Sequence, residues 1–350
     1  MNIRMKSVGF FILISFLIHK GTVCNAQDKN ADGSLVKWMS IQEAVEANKK
    51  SPRPILMDFY TDWCGWCKRM MATTYAEAGL AAYINQNFYP VKFDAEGKDT
   101  VVFAGKRYVP TGSGPRITHP LAAELLQGKL MYPSTLFMNA YSPEKDDFQF
   151  KLLVPGYLEN RKLEPFLIYS LENVFRTTPA EAFNEAFERA FFDTTVSARL
   201  ATLPWIPAAR AFDGNFQTSR KRLVFIHTSW CNSCKVMERG VFSDTSLTEA
   251  LSQFELIDFD VERTDPMFWQ DSLYQVLPGS NFPFHPLSLE LTRKNFVLPC
   301  LVVLDESGRI LDPVRLYINA GFMKEVLEFY GKDIYKRMNW QGYQRSLGKS

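Results

Sequence analysis

The sequence predicts an α/β protein built from two copies of one domain, each a mixed central sheet flanked by helices. Landmarks recur at a constant offset: Cys64 and Cys231 lie 167 residues apart, His119 and His285 166, and Pro133 and Pro299 166. Each half sets an apolar strand directly before a Cys-x-x-Cys pair. Each half then runs helix, strand, two further strands and a closing helix, an order that layers helices on a sheet. Asp94 and Asp260 both precede the later proline by 39 residues, and both histidines precede it by 14. His119-Pro120-Leu121 with Glu124-Leu125 is matched by His285-Pro286-Leu287 with Glu290-Leu291. So many landmarks in one register mark a duplicated domain.

In the first copy, Ser40-Ile41-Gln42-Glu43 reads as a capping box that opens a short helix. Ile55 to Thr61 is an apolar strand ending at the cysteines, and a helix starts at or near Cys64. A second helical stretch spans about Tyr75 to Asn85, and Phe88 to Asp94 is the next strand. A long insertion ends in a helical segment near Leu121 to Leu126. Ser134 to Asn139 and Lys151 to Tyr157 read as an antiparallel pair, and a closing helix reaches about Phe175.

The second copy opens at Thr178-Pro179-Ala180-Glu181, read as a capping box with proline at the first helical position. Phe183, Ala186, Phe187, Ala190 and Phe191 form its buried stripe. Leu223 to Thr228 is the strand before the second pair, and Leu256 to Asp260 the next strand. Leu301 to Leu304 and Pro313 to Ile318 close the sheet around a turn at Glu306-Ser307-Gly308. The expected domains are 34–176 and 178–345.

The first 26 residues read differently. Arg4 and Lys6 precede an apolar run from Val8 to Ile18, too short to cross a bilayer easily, and small and polar residues follow. This is the pattern of a signal peptide cut after Ala26. An uncleaved anchor and lipidation at Cys24 are the alternatives; Gly21-Thr22-Val23 before that cysteine is a poor lipidation context. A periplasmic or secreted protein is therefore expected. Processing removes Arg4, Lys6 and Lys20 from the 40 bases and none of the 38 acids, leaving 37 against 38, a net charge of −1. A near-neutral chain without a basic block gives no electrostatic case for nucleic acid or anionic membranes.

Of six cysteines, Cys24 falls in the leader, four form the two pairs, and Cys300 is left over. A disulfide-stapled scaffold is denser in cysteine than this. Haem attachment needs histidine directly after the second cysteine, and Lys68 and Lys235 stand there. Zinc needs four ligands, so the two pairs would have to meet in space or find local histidines. Thiol–disulfide exchange is the favoured reading, with no metal or organic cofactor required.

The segment Ile55 to Lys68 (ILMDFYTDWCGWCK) closely resembles the active-site segment of the thioredoxin-like family, and Leu223 to Lys235 (LVFIHTSWCNSCK) resembles it more loosely. The Trp-Cys-Gly-Trp-Cys-Lys form and the long insertion before the later proline resemble the secreted thioredoxin-like proteins of Bacteroidetes. The resemblance implies two tandem thioredoxin-like domains, each with an extended insertion before a cis-proline at Pro133 or Pro299.

In that family the first cysteine attacks and the second resolves. Cys64 and Cys231 are the expected nucleophiles, held at a helix N-terminus whose free N–H groups and dipole favour the thiolate. Cys67 and Cys234 are the expected resolving thiols, one turn on. Asp58 matches the family's buried acid, which takes a proton from the resolving thiol. Lys92 matches the lysine near that acid. The second copy has Phe225 and Asp258 at these places, so domain one is expected to turn over faster. Tyr132 and Leu298, each before a cis-proline, are expected to pair with an extended substrate backbone. Trp63, Trp66 and Trp230 are expected to shape the docking surface. The repeated histidines read as helix-start residues packing the insertion, and Cys300 as a small buried cysteine or a third thiol beside Cys231.

The expected partners are exported proteins carrying disulfides or thiols, together with an unidentified redox partner, and the chain is expected to act as a monomer. A protein-disulfide reductase or isomerase is the leading reading. The competing one is a binding or chaperone-like module with a degenerate second domain.

Overall fold

The structure, a computed structural model, describes residues 29–112, 114 and 116–349. The leader expected at 1–26, with Cys24, lies outside the described residues.

The first domain contains α1 (Ile41–Lys50), β1 (Ile55–Tyr60), α2 (Gly65–Ala72), α3 (Ala78–Asn87), β2 (Tyr89–Asp94), β3 (Val101–Phe103), β4 (Lys106–Tyr108), α4 (Pro120–Leu125), β5 (Ser134–Ser142), β6 (Asp147–Pro155) and α5 (Asn160–Leu171). Its sheet runs β2-β1-β5-β6, with β1 and β2 parallel and the rest antiparallel. The Ser40–Glu43 capping box forms as the sequence predicts. The alternation of β1 divides the core. Ile55, Met57 and Phe59 pack with α1 and α4, whereas Leu56 packs with α2, α3 and α5. Asp58 has the parity of Leu56, so the strand's one acid is turned toward the face that carries α2.

The second domain contains α6 (Ala180–Phe192), α7 (Val196–Leu200), β7 (Trp205–Pro207), α8 (Ala208–Ala211), β8 (Lys221–His227), α9 (Asn232–Val236), α10 (Thr248–Leu251), β9 (Phe254–Asp260), β10 (Met267–Trp269), β11 (Ser272–Tyr274), α11 (Leu287–Leu291), β12 (Cys300–Leu304), β13 (Ile310–Arg315), α12 (Ala320–Gly331) and α13 (Trp340–Ser346). The sheet order is β13-β12-β8-β9-β7. The edge strand β7 pairs with β9 in parallel. In the first domain the same place holds only a single bridge from Met39 to Val91. Each insertion folds as a small separate hairpin, β3–β4 or β10–β11. These are two thioredoxin-like domains in tandem, as the resemblance implies.

One local expectation is corrected. Thr178 does not cap α6: the helix begins one residue later, at Ala180, which puts Pro179, with no side-chain acceptor, at the N-cap and leaves the buried Thr178 hydroxyl without a partner among the described residues. The segment from 193 to 220 also holds three short elements, α7, β7 and α8. These elements are only three to five residues long, too short to show periodicity.

The domains share apolar surface. Ile168, Tyr169 and Val174 of the first join the cluster built on Leu223, Phe225, Cys231, Cys234 and the second domain's helices. Phe150 and Phe175 stack at 4.0 Å on the edge of that cluster.

Candidate active site

Each site begins where a buried strand runs out. After β1, the Cys64 N–H donates to Thr61 O at 3.1 Å, and the turn delivers Cys64 to the N-cap of α2. After β8, Cys231 is the N-cap of α9. The backbone N–H of Cys67 points at Cys64 Sγ at 3.1 Å, and that of Cys234 at Cys231 Sγ at 3.2 Å. An N–H aimed at the first sulfur stabilises negative charge there, and a helix start adds its dipole. Both pairs are closed as disulfides, Cys64–Cys67 and Cys231–Cys234. All four cysteines are buried, while the flanking Trp63, Trp66 and Trp230 are each more than half exposed. The two helices differ beyond the pair, since α9 runs into a wide π-helical segment, Met237–Val241.

Pro133 and Pro299 are both cis, after Tyr132 and Leu298. Trp63 is bracketed by Glu96, which its indole N–H meets at 3.0 Å, by the Arg116 guanidinium at 5.0 Å, and by the Tyr132 ring at 6.2 Å. Trp66 lies against Tyr157 at 5.4 Å and Arg69 at 5.3 Å. In the second domain Trp230 approaches Phe284 at 6.0 Å, and Glu262 accepts from the neighbouring Ser229 hydroxyl at 2.7 Å. An aromatic ring thus packs on the tryptophan before each first cysteine.

Asp58 is fully buried, and burial pushes its carboxyl up to about 7. The Tyr75 hydroxyl donates to Oδ1 at 3.2 Å, while Oδ2 has no hydrogen-bond partner among the described residues. Lys92 faces Asp58 across the β1–β2 pair, but its ammonium binds Asp32 at 2.6 Å and lies 4.6 Å over the Tyr60 ring. A cavity of about 400 Å³ lined by Cys67, Tyr60, Asp32 and Lys92 opens beside the Lys92–Asp32 ion pair.

The second domain carries the same register with different chemistry. Phe225 faces Asp258 across β8–β9, as Asp58 faces Lys92. Asp258 binds His227 Nε2 at 2.5 Å, and His227 stacks on Phe225 at 4.9 Å. The Lys92–Tyr60 contact of the first domain is thus replaced by an Asp258–His227 pair.

His119 and His285 repeat one construction. The Nδ1 accepts from the N–H of Leu121 or Leu287, and Nε2 meets the carbonyl of Asp99 or Asp265 at 3.0 Å. Both rings are buried, tying the insertion to the start of α4 or α11. Cys300 is also buried, with Ile226 and Val302 on the sheet face opposite that of Cys231 and Cys234, and burial pushes its thiol up to about 12. It is not a third thiol beside Cys231.

Sequence reasoning missed Tyr75, Asp32 and Glu172. Glu172 lies just past α5 and accepts from the N–H groups of Asn232 and Ser233, beside Cys231. No motif marks any of the three, because each reaches its site from an element distant in sequence. Among the described residues no cluster of His, Cys, Asp and Glu is placed to hold a metal ion, and no helix is long and apolar enough to cross a membrane.

Two family models match the chain. That of a thioredoxin-like DsbH family, described as a protein of unknown function (DUF255), matches residues 28–153, and one described as thioredoxin-like matches residues 205–285. The thiol:disulfide interchange protein DsbD of Ralstonia nicotianae is 43% identical over 42 residues, 12% of this chain. The match spans 7% of the length of that curated relative. Among solved structures, a thioredoxin-fold protein from Helicobacter pylori is 12% identical with a TM-score of 0.30, covering 46% of this chain and 93% of that one. The oxidised C-terminal domain of DsbD from Neisseria meningitidis is 18% identical with a TM-score of 0.25, covering 37% and 90%.

Proposed function

Because this chain belongs to the thioredoxin-like family, we propose that it is an exported thiol–disulfide oxidoreductase that exchanges disulfides with protein substrates through its two Cys-x-x-Cys pairs. The observation that carries this reading is the placement of Cys64 and Cys231 at helix N-caps, each sulfur receiving the N–H of its partner cysteine. Export rests on the leader pattern at 1–26.

In the reducing direction, the Cys64 thiolate attacks a substrate disulfide and forms a mixed disulfide, releasing one substrate thiol. Cys67 loses its proton and attacks Cys64, which closes the intramolecular disulfide and frees the second thiol. Two electrons pass from the dithiol to the substrate. Asp58 is suited to accept the Cys67 proton, since a carboxyl near 7 exchanges protons readily at neutral pH. The exposed tryptophans, with Tyr132 and Leu298 before the cis-prolines, form the surface on which an extended substrate would lie.

The test is reduction of insulin disulfides by the full chain, with each pair disabled in turn. Cys64→Ser is expected to abolish most turnover and Cys231→Ser to remove a smaller share. Mixed disulfides should accumulate in Cys67→Ser and Cys234→Ser and identify the substrates. Full activity in the Cys64→Ser/Cys231→Ser double variant would refute the proposal.

A further inference from the structure

The two domains present their active-site helices differently. At the start of α2, Gly65 and Trp66 are exposed, and among the described residues no side chain takes their N–H groups. At the start of α9, the matching N–H groups of Asn232 and Ser233 donate to Glu172, at 3.1 Å to Oε1 and 2.8 Å to Oε2. The same Oε2 lies 3.9 Å from Cys231 Sγ.

Glu172 belongs to the first domain. It is the C-cap of α5, its own N–H bonded to Ile168 O at 2.9 Å. Asn173 follows in the left-handed region at φ 57°, and Val174 is buried in the second domain's cluster. The domain junction thus fixes the carboxylate against the second pair. That pair lacks an acid of its own at the place of Asp58, where Phe225 stands.

We propose that Glu172 is the proton partner of Cys231, so that the first domain supplies the acid–base group of the second domain's cysteine pair. The inference rests on the reading of that pair as exchange-active. A thiolate and a half-buried carboxylate this close disfavour ionising together, so the reduced site holds one proton between them. The groups facing Glu172 set the balance. Burial raises its pKa, whereas Ser233, the backbone of Asn232 and the Lys235 ammonium favour its charge. Tyr83 of α3, itself kept neutral by burial and by Glu172, completes the surround.

The Cys231 thiol gives its proton to Glu172, and the thiolate attacks a disulfide of a substrate protein. A Cys231–substrate bond forms, the substrate S–S bond breaks, and the leaving sulfur takes the proton back from Glu172. Cys234 then attacks Cys231 Sγ, and its proton goes to the second leaving sulfur. The dithiol is oxidised by two electrons and the substrate disulfide is reduced by two.

The test uses the full chain with Cys64→Ser and Cys67→Ser, which leaves the second pair to report. After reduction with dithiothreitol, iodoacetamide alkylation of Cys231 is followed by peptide mass analysis from about pH 5 to about pH 9. Glu172→Gln keeps the shape and an acceptor oxygen but removes the charge. It is expected to lower the midpoint of Cys231 reactivity by about one pH unit or more, about tenfold more thiolate below the midpoint. Glu172→Asp is expected to restore part of the shift. An identical midpoint in Glu172→Gln overturns the inference. If that variant melts early, infrared difference spectra of the otherwise unaltered chain decide instead: reduction must change a protonated-carboxyl band, and no change overturns the inference. A Cys231 that stays unreactive after dithiothreitol at every pH overturns exchange by the second pair, and this inference with it.

Discussion

Tyr75 donates its hydroxyl proton to Asp58 inside the first domain, and that bond at 3.2 Å is the acid's one hydrogen bond among the described residues. The carboxyl is held on the sheet face that carries α2, largely without solvation. Its pKa, raised from 3.8 to about 7, is the physical record of that burial.

A stability signature follows. Between pH 3.8 and about 7 the folded chain keeps a proton on Asp58 that the unfolded chain has lost, so stability falls as pH rises through that window and levels off above it. The full swing is on the order of 4 kcal/mol. Asp58→Asn lacks the titration. Its melting temperature relative to wild type is expected to climb from pH 4 to pH 7 and then stay constant. A difference that is flat over this range would refute the burial argument.

Tyr75→Phe removes the hydrogen bond that favours the charged carboxylate. Asp58 then needs a higher pH to ionise. The rising limb of the pH–rate profile of the first pair, measured in a Cys231→Ser background, is expected to move up by about one unit. Asp58→Asn is expected to flatten that limb and slow the resolving step, seen as longer-lived mixed disulfides. An unchanged profile in both variants would remove Asp58 from the proton path.

Cys300 is expected to resist iodoacetamide at pH 8 in the folded chain and to react only after unfolding, because its thiol titrates near 12 and is buried. Cys300→Ala is expected to leave exchange at Cys231 within about twofold of wild type, at a cost of about 1 kcal/mol in lost packing. Rapid native alkylation would show the sheet face to be open.

Gly240 lies in the π-helical segment after α9, with its backbone against the Ala186 carbonyl of α6. A Cβ at this position falls well inside contact distance of that carbonyl, and neither backbone has room to give. Gly240→Ala is expected to destabilise the second domain by about 1–3 kcal/mol, read as a lower melting temperature. A neutral outcome would mean the two helices separate easily.

Much of the site was legible because its signals are local. Ser40 and Glu43 cap α1 within one turn, and the matching spacings of Cys64 and Cys231 and of Pro133 and Pro299 place equivalent residues at equivalent strand ends. The equivalence of Asp58 with Phe225, and of Lys92 with Asp258, follows from counting and reappears in the strand register. The Thr178 capping motif failed because the helix begins one residue later, at Ala180, with Pro179, which has no side-chain acceptor, at the N-cap.

By itself the sequence determined the duplication, the strand–cysteine–helix order and the chemical types at each site, all of which depend on short-range spacing and alternation. Only the tertiary structure decided which charges meet: Lys92 binds Asp32, His227 binds Asp258, and Glu172 crosses from one domain to the other's cysteine. Such pairings depend on distances between elements far apart in the chain, and those distances are fixed by packing of the shared core.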